Sequence, residues 1–348
     1  MIAAADRDES SVETLVELLD ELEPSTDRSI PPLRGIRTLA IDEDDLEDDT
    51  IDRVIEEVHR LLEHDRTPVH RLAAVAAVVL VDRKPEAASP LLDRLVSLLE
   101  EEAHERRALE TIEHVSTATP TAVEEHFSIV VEYLDHSRDA VPRHVAGILL
   151  SLALDSSDAP LEAFPRLLSS LAESFESTGD ATSMTRSGTD VQSLERDSRA
   201  ENLAARMILA RAVAEVARDR PEAVADAVVE SGTCDVVVSL FDDEQPRVRA
   251  LATGIAAHVV EREPDRFERA VPRLLELLED EHEVVRGGAI WTLRALDDPR
   301  AVDGLRRTSR EDPSEDLREL ATEAVRERER DRSEDEITSK KNNTLTSD

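Results

Sequence analysis

The chain has 348 residues, with 79 Asp or Glu against 42 Lys or Arg, and a formal net charge of −37. Hydrophobic residues make up 40% and aromatics only 2%, with nine Gly and one Cys. This composition favours a helical core of Ala, Val and Leu over a sheet-rich one, and it excludes an intrachain disulfide and a rich aromatic stacking platform.

The opening "MIAAADRDESS" has neither a basic stretch nor a long apolar one, so it predicts no signal peptide. The longest apolar run, Leu72 to Val81, is ten residues. A membrane span needs about 20, so the expectation is a cytoplasmic protein. In "DEDDLEDD", Asp42 to Asp49, seven of eight residues are acidic, which reads as a solvated linker.

From there a repeat emerges. In "DRTPVHRLAA" Asp65 is followed by Arg71 and Ala74. The same frame returns in "DDEQPRVRALA" with Asp243, Arg249 and Ala252, and in "EDEHEVVRGGA" with Asp280, Arg286 and Ala289. It returns again in "EDPSEDLRELA" with Asp312, Arg318 and Ala321. Extended along the chain, the Arg column reads 34, 71, 107, 143, 206, 249, 286 and 318, with a typical spacing of 36 or 37 residues. Pro85, Pro120, Pro160, Pro221, Pro264 and Pro299 follow these Args at 13 to 17 residues. Pro suits the first turn of a helix and stops the one before it. Each unit therefore reads as helix A, a turn, then helix B. Phe267, Val271, Leu274, Leu275 and Leu278 make one helical apolar face, and Val248, Leu251, Ala252, Ile255, Ala256 and Val259 make another. No hairpin of this size buries its face alone, so stacking supplies the core.

Two stretches break the frame. Residues 177–198, "STGDATSMTRSGTDVQSLERDS", read as a flexible insertion loop, and residues 331–348 read as a disordered tail.

The period and the Asp-x5-Arg-x2-Ala pattern resemble HEAT repeats. "LDDPRAVDGLRRTSREDPSEDLRELATEAV", Leu296 to Val325, is especially similar to the short bacterial and archaeal type. The resemblance implies an all-α, right-handed α-solenoid of about eight HEAT-like helical hairpins over 1–330, with B helices lining a concave side. Of the 42 basic residues only Lys84, Lys340 and Lys341 are Lys. This acid-dominated, Arg-over-Lys composition resembles that of salt-accumulating halophiles, archaea in particular. At molar salt the Debye length is roughly 3 Å, so the acidity reads as adaptation to solvent rather than as a partner signal.

Within this frame the Asp of each turn can accept backbone N–H bonds at the start of helix B. The Arg in the first turn of helix B can bond the turn Asp of an adjacent unit. Asp65, Arg71, Asp243, Arg249, Asp280, Arg286, Asp312 and Arg318 are thus expected to form a structural ladder.

Catalytic chemistry finds little support. The ten His form no column in the frame, no HExxH occurs, and no two His lie at i, i+4. No metal or other cofactor is expected. Deoxyhypusine hydroxylases, which resemble HEAT repeats, carry His-Glu iron ligands directly after the Val-Arg of helix B. Here those slots hold Gly287-Gly288, Ala250-Leu251, Glu319-Leu320 and Leu72-Ala73. Cys234 lies in no motif and reads as a small buried thiol. Arg294, Arg300, Arg306, Arg307 and Arg310 cluster near few acids and stand as solvated Args, with a nucleic-acid contact as the alternative.

The chain's only Trp lies in "DEHEVVRGGAIW". Gly287 and Gly288 share one side of helix B with Trp291. One account is close packing of the Trp on a neighbouring repeat. The other is a shallow notch with Trp291 as a binding anchor and Arg294 beside it. The leading functional expectation is a non-enzymatic protein-interaction scaffold that binds a partner protein through its B-helix surface. The alternative is an enzyme or nucleic-acid processing factor on the same solenoid, similar to alkylpurine DNA glycosylases.

Overall fold

The computed structural model describes residues 7–22, 34–40, 47–64, 66–100, 104–135, 141–173 and 190–345. Among them every regular element is helical and no strand occurs. The helices gather into two compact units, although a continuous repeat pattern suggests a single domain.

The first unit holds α1 (Arg7–Leu22), α2 (Arg34–Leu39), α3 (Asp48–Leu62), α4 (Thr67–Arg83) and α5 (Ala88–Glu100). It continues with α6 (Glu105–Ala118), α7 (Pro120–Glu124), α8 (Phe127–Glu132), α9 (Val141–Leu154) and α10 (Ala159–Glu162). α11 (Phe164–Glu173) belongs to the second unit, and the boundary falls after Glu215, inside α12 (Asp190–Asp219). The second unit continues with α13 (Pro221–Ser231), α14 (Cys234–Ser239), α15 (Pro246–Val259) and α16 (Pro264–Phe267). It ends with α17 (Val271–Leu277), α18 (Glu283–Ala295), α19 (Pro299–Glu311) and α20 (Glu315–Leu345).

Each unit is a stack of helical hairpins, the arrangement of an α-solenoid. In the first, α3 packs on α4 and α5 on α6, and the B helices α4, α6 and α9 stack in turn. In the second, α14 packs on α15, α17 on α18 and α19 on α20, and α15, α18 and α20 stack in turn. Arg71, Arg107, Arg143, Arg249, Arg286 and Arg318 all lie within the first five residues of a B helix. All six spaced Pro residues sit in the first turn of the helix that opens helix A, which is a short piece in four units, 11 residues in α13, and the whole of helix A in α19.

Helix A is usually broken in two, a feature absent from the simple hairpin expectation. Gly232 closes α13 in the left-handed region at φ 71, a conformation free of Cβ strain only for glycine. Pro272 resets the chain at the start of α17. The apolar faces still reach the core: Phe267, Val271 and Leu274 are fully buried, as are Val248, Ala252 and Val259.

Two segments differ from the composition-based expectation. Residues 174–189 lie outside the described residues, but 190–198 form the opening turns of α12 rather than loop. Residues 331–345, expected as disordered tail, continue α20. Neither helix contains a Gly or Pro, and charged and small polar residues suffice to propagate a helix already nucleated by packing. Of the acidic run, Asp48 and Asp49 form the first turn of α3, where negative charge suits the helix dipole, and 42–46 lie outside the described residues.

The second unit carries the polar ladder. Asp243, Asp280 and Asp312 each turn Oδ1 to the backbone N–H two residues on, at 2.8, 2.9 and 2.8 Å. For Asp243 and Asp280 that N–H belongs to the residue capping helix B, one position short of the helix proper. In Asp280 and Asp312 the other carboxylate oxygen faces the preceding repeat. Arg249 Nε donates to Asp280 Oδ2 at 2.8 Å, and Arg286 Nε donates to Asp312 Oδ2 at 2.8 Å. Arg286 adds a second bond from Nη2 to Asp312 Oδ1 at 3.1 Å. Each guanidinium also grips its own turn: Nη1 of Arg249, Arg286 and Arg318 donates to the carbonyls of Asp243, Asp280 and Asp312 at 2.8, 2.8 and 2.7 Å.

In the first unit Asp65 lies outside the described residues and Arg71 is exposed. Arg107 there donates instead to the Leu62 carbonyl at 2.8 Å. The ladder pairs are shielded: the Arg286 and Asp312 side chains are 8% and 1% exposed. Burial pushes the Asp280 carboxyl up, but the His282 N–H and the Arg249 guanidinium outweigh it and leave it below its ordinary value. Its contribution to stability is therefore present above the unfolded pKa and is lost as pH falls through the lower folded one.

Removing one member of a buried pair strands the other. Asp312→Ala should lower stability by about 3 kcal/mol, and adding Arg286→Met should recover part of that loss. Urea denaturation of the single and double variants checks this; an equal or greater loss in the double would show that the pair is not the source.

Glu57 in α3 is a second buried charge. Its side chain is 7% exposed, Arg60 Nη1 reaches Oε2 at 3.1 Å, and among the described residues Oε1 has no hydrogen-bond partner. Burial raises its pKa against the opposing pull of Arg60. A raised acid favours the fold when protonated and loses that advantage as pH rises through the folded pKa. Glu57→Gln should thus raise the melting temperature by about 2 °C at neutral pH and by less near pH 4. Melting curves at the two pH values test the sign; a gain confined to the acid side would refute it.

Candidate functional site

α18 lies between α15 and α20 and divides its surface sharply. Val285, Ala289, Ile290 and Leu293 are buried against its neighbours. On the open side Val284, Gly287 and Trp291 follow at i, i+3 and i+7, a single helical face. Val284 is 71% exposed and Trp291 43%, an unusual exposure for the chain's only Trp. In the repeat frame Trp291 aligns with Gly254 of α15, which is exposed and whose added Cβ would meet nothing within 4 Å.

Arg294, one turn beyond Trp291, lies over the indole with Cζ 4.2 Å from the ring centroid. Its Nε meets Glu327 Oε2 of α20 at 3.2 Å. The order Glu327, Arg294, Trp291 braces the ring from one side through a cation–π contact.

The two glycines have different roles, and they do not make the notch expected of them. At Gly288 an added Cβ would lie 2.4 Å from Thr253 Oγ1 and 2.6 Å from Thr253 Cβ. Thr253 of α15 therefore fills the space that the missing side chain leaves. Thr292 Oγ1 donates to the Gly288 carbonyl at 2.9 Å on the same side of the helix. Gly288 serves the close approach of α15 and α18. At Gly287 an added Cβ would meet only Leu317 Cδ2, at 3.4 Å. Trp291 is likewise not packed into a neighbouring repeat. Together Val284, Gly287 and Trp291 form a low ridge.

The repeat frame carried a signal for this ridge that pattern reading passed over. The positions equivalent to Val284 are Arg247 and Asp316, and those equivalent to Trp291 are Gly254 and Glu323. Both columns are outward-facing elsewhere in the unit, so an apolar residue there is an exposed one.

Other candidates resolve into local structure. His282 caps α18 and is exposed, with Nδ1 3.2 Å from Asp280 Oδ1, and Glu283 Oε1 accepts from Ser314 Oγ at 2.5 Å. Cys234 is buried, and burial pushes its thiol pKa up, away from reactivity. The Arg cluster is largely neutralised within the chain: Arg300 pairs with Asp298, Arg306 with Glu329, Arg307 with Glu279, and Arg294 with Glu327. Among the described residues no three His, Cys, Asp or Glu side chains converge as metal donors, and no helix is long and apolar enough to cross a membrane.

Residues 234–326, from α14 into α20, match the family model of HEAT repeats. Among solved structures, an engineered protein is similar over 92% of this chain and 81% of its own, with 18% identity and a TM-score of 0.53. At that identity the likeness speaks to the all-α repeat fold alone. A second engineered protein is similar over 72% of this chain and 97% of its own, with 18% identity and a TM-score of 0.45. A designed armadillo repeat protein crystallised with a (KR)4 peptide covers 84% of this chain and 97% of its own, with 13% identity and a TM-score of 0.29. No curated protein matches the sequence.

The two glycines should respond oppositely to the same substitution. Gly288→Ala forces Thr253 away and should cost about 2 kcal/mol. Gly287→Ala meets only ordinary contact and should gain about 1 kcal/mol from helix propensity. Denaturation midpoints of the two variants test this, and equal losses at both sites would overturn the division of roles.

Proposed function

We propose that the protein is a non-enzymatic scaffold that binds a partner protein through the B-helix surface of its second unit. The observation that carries this reading is the exposed ridge of Val284, Gly287 and Trp291. A large aromatic held in water by a rigid helix costs free energy that burial against a partner recovers. Trp291 is pre-oriented by Arg294, so little side-chain freedom is lost on binding. Bare Gly254 and Gly287 leave room for a partner side chain on either side of the indole.

The family match over residues 234–326 supports the same reading, since helical repeat stacks offer extended binding faces built from B helices. The nucleic-acid alternative loses its footing in the ion pairs that engage four of the five clustered Args. We read the net charge of −37 as adaptation to a salt-rich cytoplasm, where screening leaves apolar anchors to carry affinity.

A photo-crosslinking amino acid placed at Val284 in living cells tests the proposal against the same probe at exposed Glu268 on the helix A side. The expected result is a discrete protein adduct from position 284, none from 268, and a roughly tenfold lower yield when Trp291→Ala is added. The melting temperature should not change with Trp291→Ala. Equal adducts from both positions, or none from 284, would sink the reading.

A further inference from the structure

The ladder of the second unit has an open end. Arg318 grips its own turn through Nη1, as Arg249 and Arg286 do. The two earlier Args spend Nε on the Asp of the following repeat. Among the described residues no carboxylate takes that place for Arg318. Thr322, four residues on, donates to the Arg318 carbonyl at 2.7 Å, just as Thr253 donates to that of Arg249 at 3.0 Å. Thr253 is the residue on which α18 packs at Gly288. The outer face of α20 thus repeats the Arg and Thr that α15 offers to the next helix.

A groove runs along this face, lined by Glu315, Arg318, Glu319, Thr322, Glu323, Arg326, Glu327 and Arg330. These residues recur at helical spacing over four turns and are exposed or half-buried. Among the described residues Glu315, Glu319, Glu323, Arg326 and Arg330 have no ion-pair partner.

The order of charges along the groove is self-complementary. Set α20 antiparallel to itself about a point between Thr322 and Glu323, and two pairs of residues at equal height on the outer face are opposite in sign. Glu315 meets Arg330 of the second copy, and Glu319 meets Arg326. Two-fold symmetry doubles each contact, giving four ion pairs across the axis. The same face against an acidic partner would leave four Glu opposed to like charge, and against a basic one three Arg.

We propose that the outer face of α20 is a two-fold interface with a second copy of this chain, formed by antiparallel pairing of the two α20 helices. The interface is isologous, so it closes at two copies and does not propagate into a filament. The paired segment is about 24 Å long, short for a standard interface of roughly 1,600 Å², so the association is weak. It is independent of the Trp291 ridge.

Charge-swap variants test it without touching the ladder. An acidic variant carries Arg326→Glu and Arg330→Glu; a basic variant carries Glu315→Arg and Glu319→Arg. Each alone sets like charges against each other at four contacts, and mixed together they restore all four. Sedimentation at about 100 µM should find the wild type dimeric, with each variant dissociating at least about tenfold more readily. The one-to-one mixture should return to dimer. The salt concentration is one at which circular dichroism reports a folded chain, and recovery in the mixture itself rules out misfolding. A monomeric wild type, variants that stay dimeric, or a mixture that stays monomeric would each overturn the proposal.

Discussion

The second unit depends on one divided interaction. Asp280 and Asp312 each spend one oxygen on their own backbone and the other on the preceding repeat's Arg. Arg249 and Arg286 each spend one nitrogen on their own turn and others on the next Asp. Hydrophobic stacking is non-directional and would tolerate a sliding helix. A charge-assisted fork with two fixed acceptors does not. Aliphatic contacts supply the attraction between hairpins, and the ladder sets the register at which they stop. A buried ion pair need not add net stability to do this, because its cost on breaking is what penalises the wrong register.

Register then decides which side chains face water. With Arg249 and Arg286 held in line, Thr253 lands under Gly288, and the two B helices approach more closely than a Cβ would permit. The rotation that buries Thr292 and sets Gly288 against Thr253 leaves Val284, Gly287 and Trp291 facing outward. The exposure of the Trp is thus not a lapse in packing. It follows from a helix whose orientation is fixed by polar bonds at one end and by a glycine contact in the middle.

The ladder was legible in the sequence because it consists of polar residues at constant offsets, and only a repeated geometric demand keeps an Asp and an Arg six apart through 243, 280 and 312. The B helices were legible for the same reason, and the Pro residues marked the start of each helix A. Other features were not. The break in helix A depends on a left-handed glycine at 232 and on second prolines such as Pro272, local events without a fixed offset. Residues 190–198 and 331–345 look like linker by composition yet lie in helices begun elsewhere. For the candidate site, the composition singled out Gly287, Gly288 and Trp291 together but could not separate them. Gly288 packs on α15 while Trp291 stays exposed, and that division follows from Thr253, a residue 35 positions earlier with no motif of its own.

A divided ladder also explains why the last B helix differs from the others. The repeat of α18 both gives an Asp and receives one, so these charges cancel along the stack. The repeat of α20 gives Asp312 to Arg286, and among the described residues no carboxylate meets Nε of Arg318. An apolar outer face there would aggregate without limit, and a face of one sign would repel its own neighbours. α20 instead alternates Glu and Arg along the groove. About its centre that alternation sets Glu319 opposite Arg326 and Glu315 opposite Arg330. An uncommitted solvated surface has no reason to keep such symmetry at both pairs, whereas a surface that meets its own copy requires it.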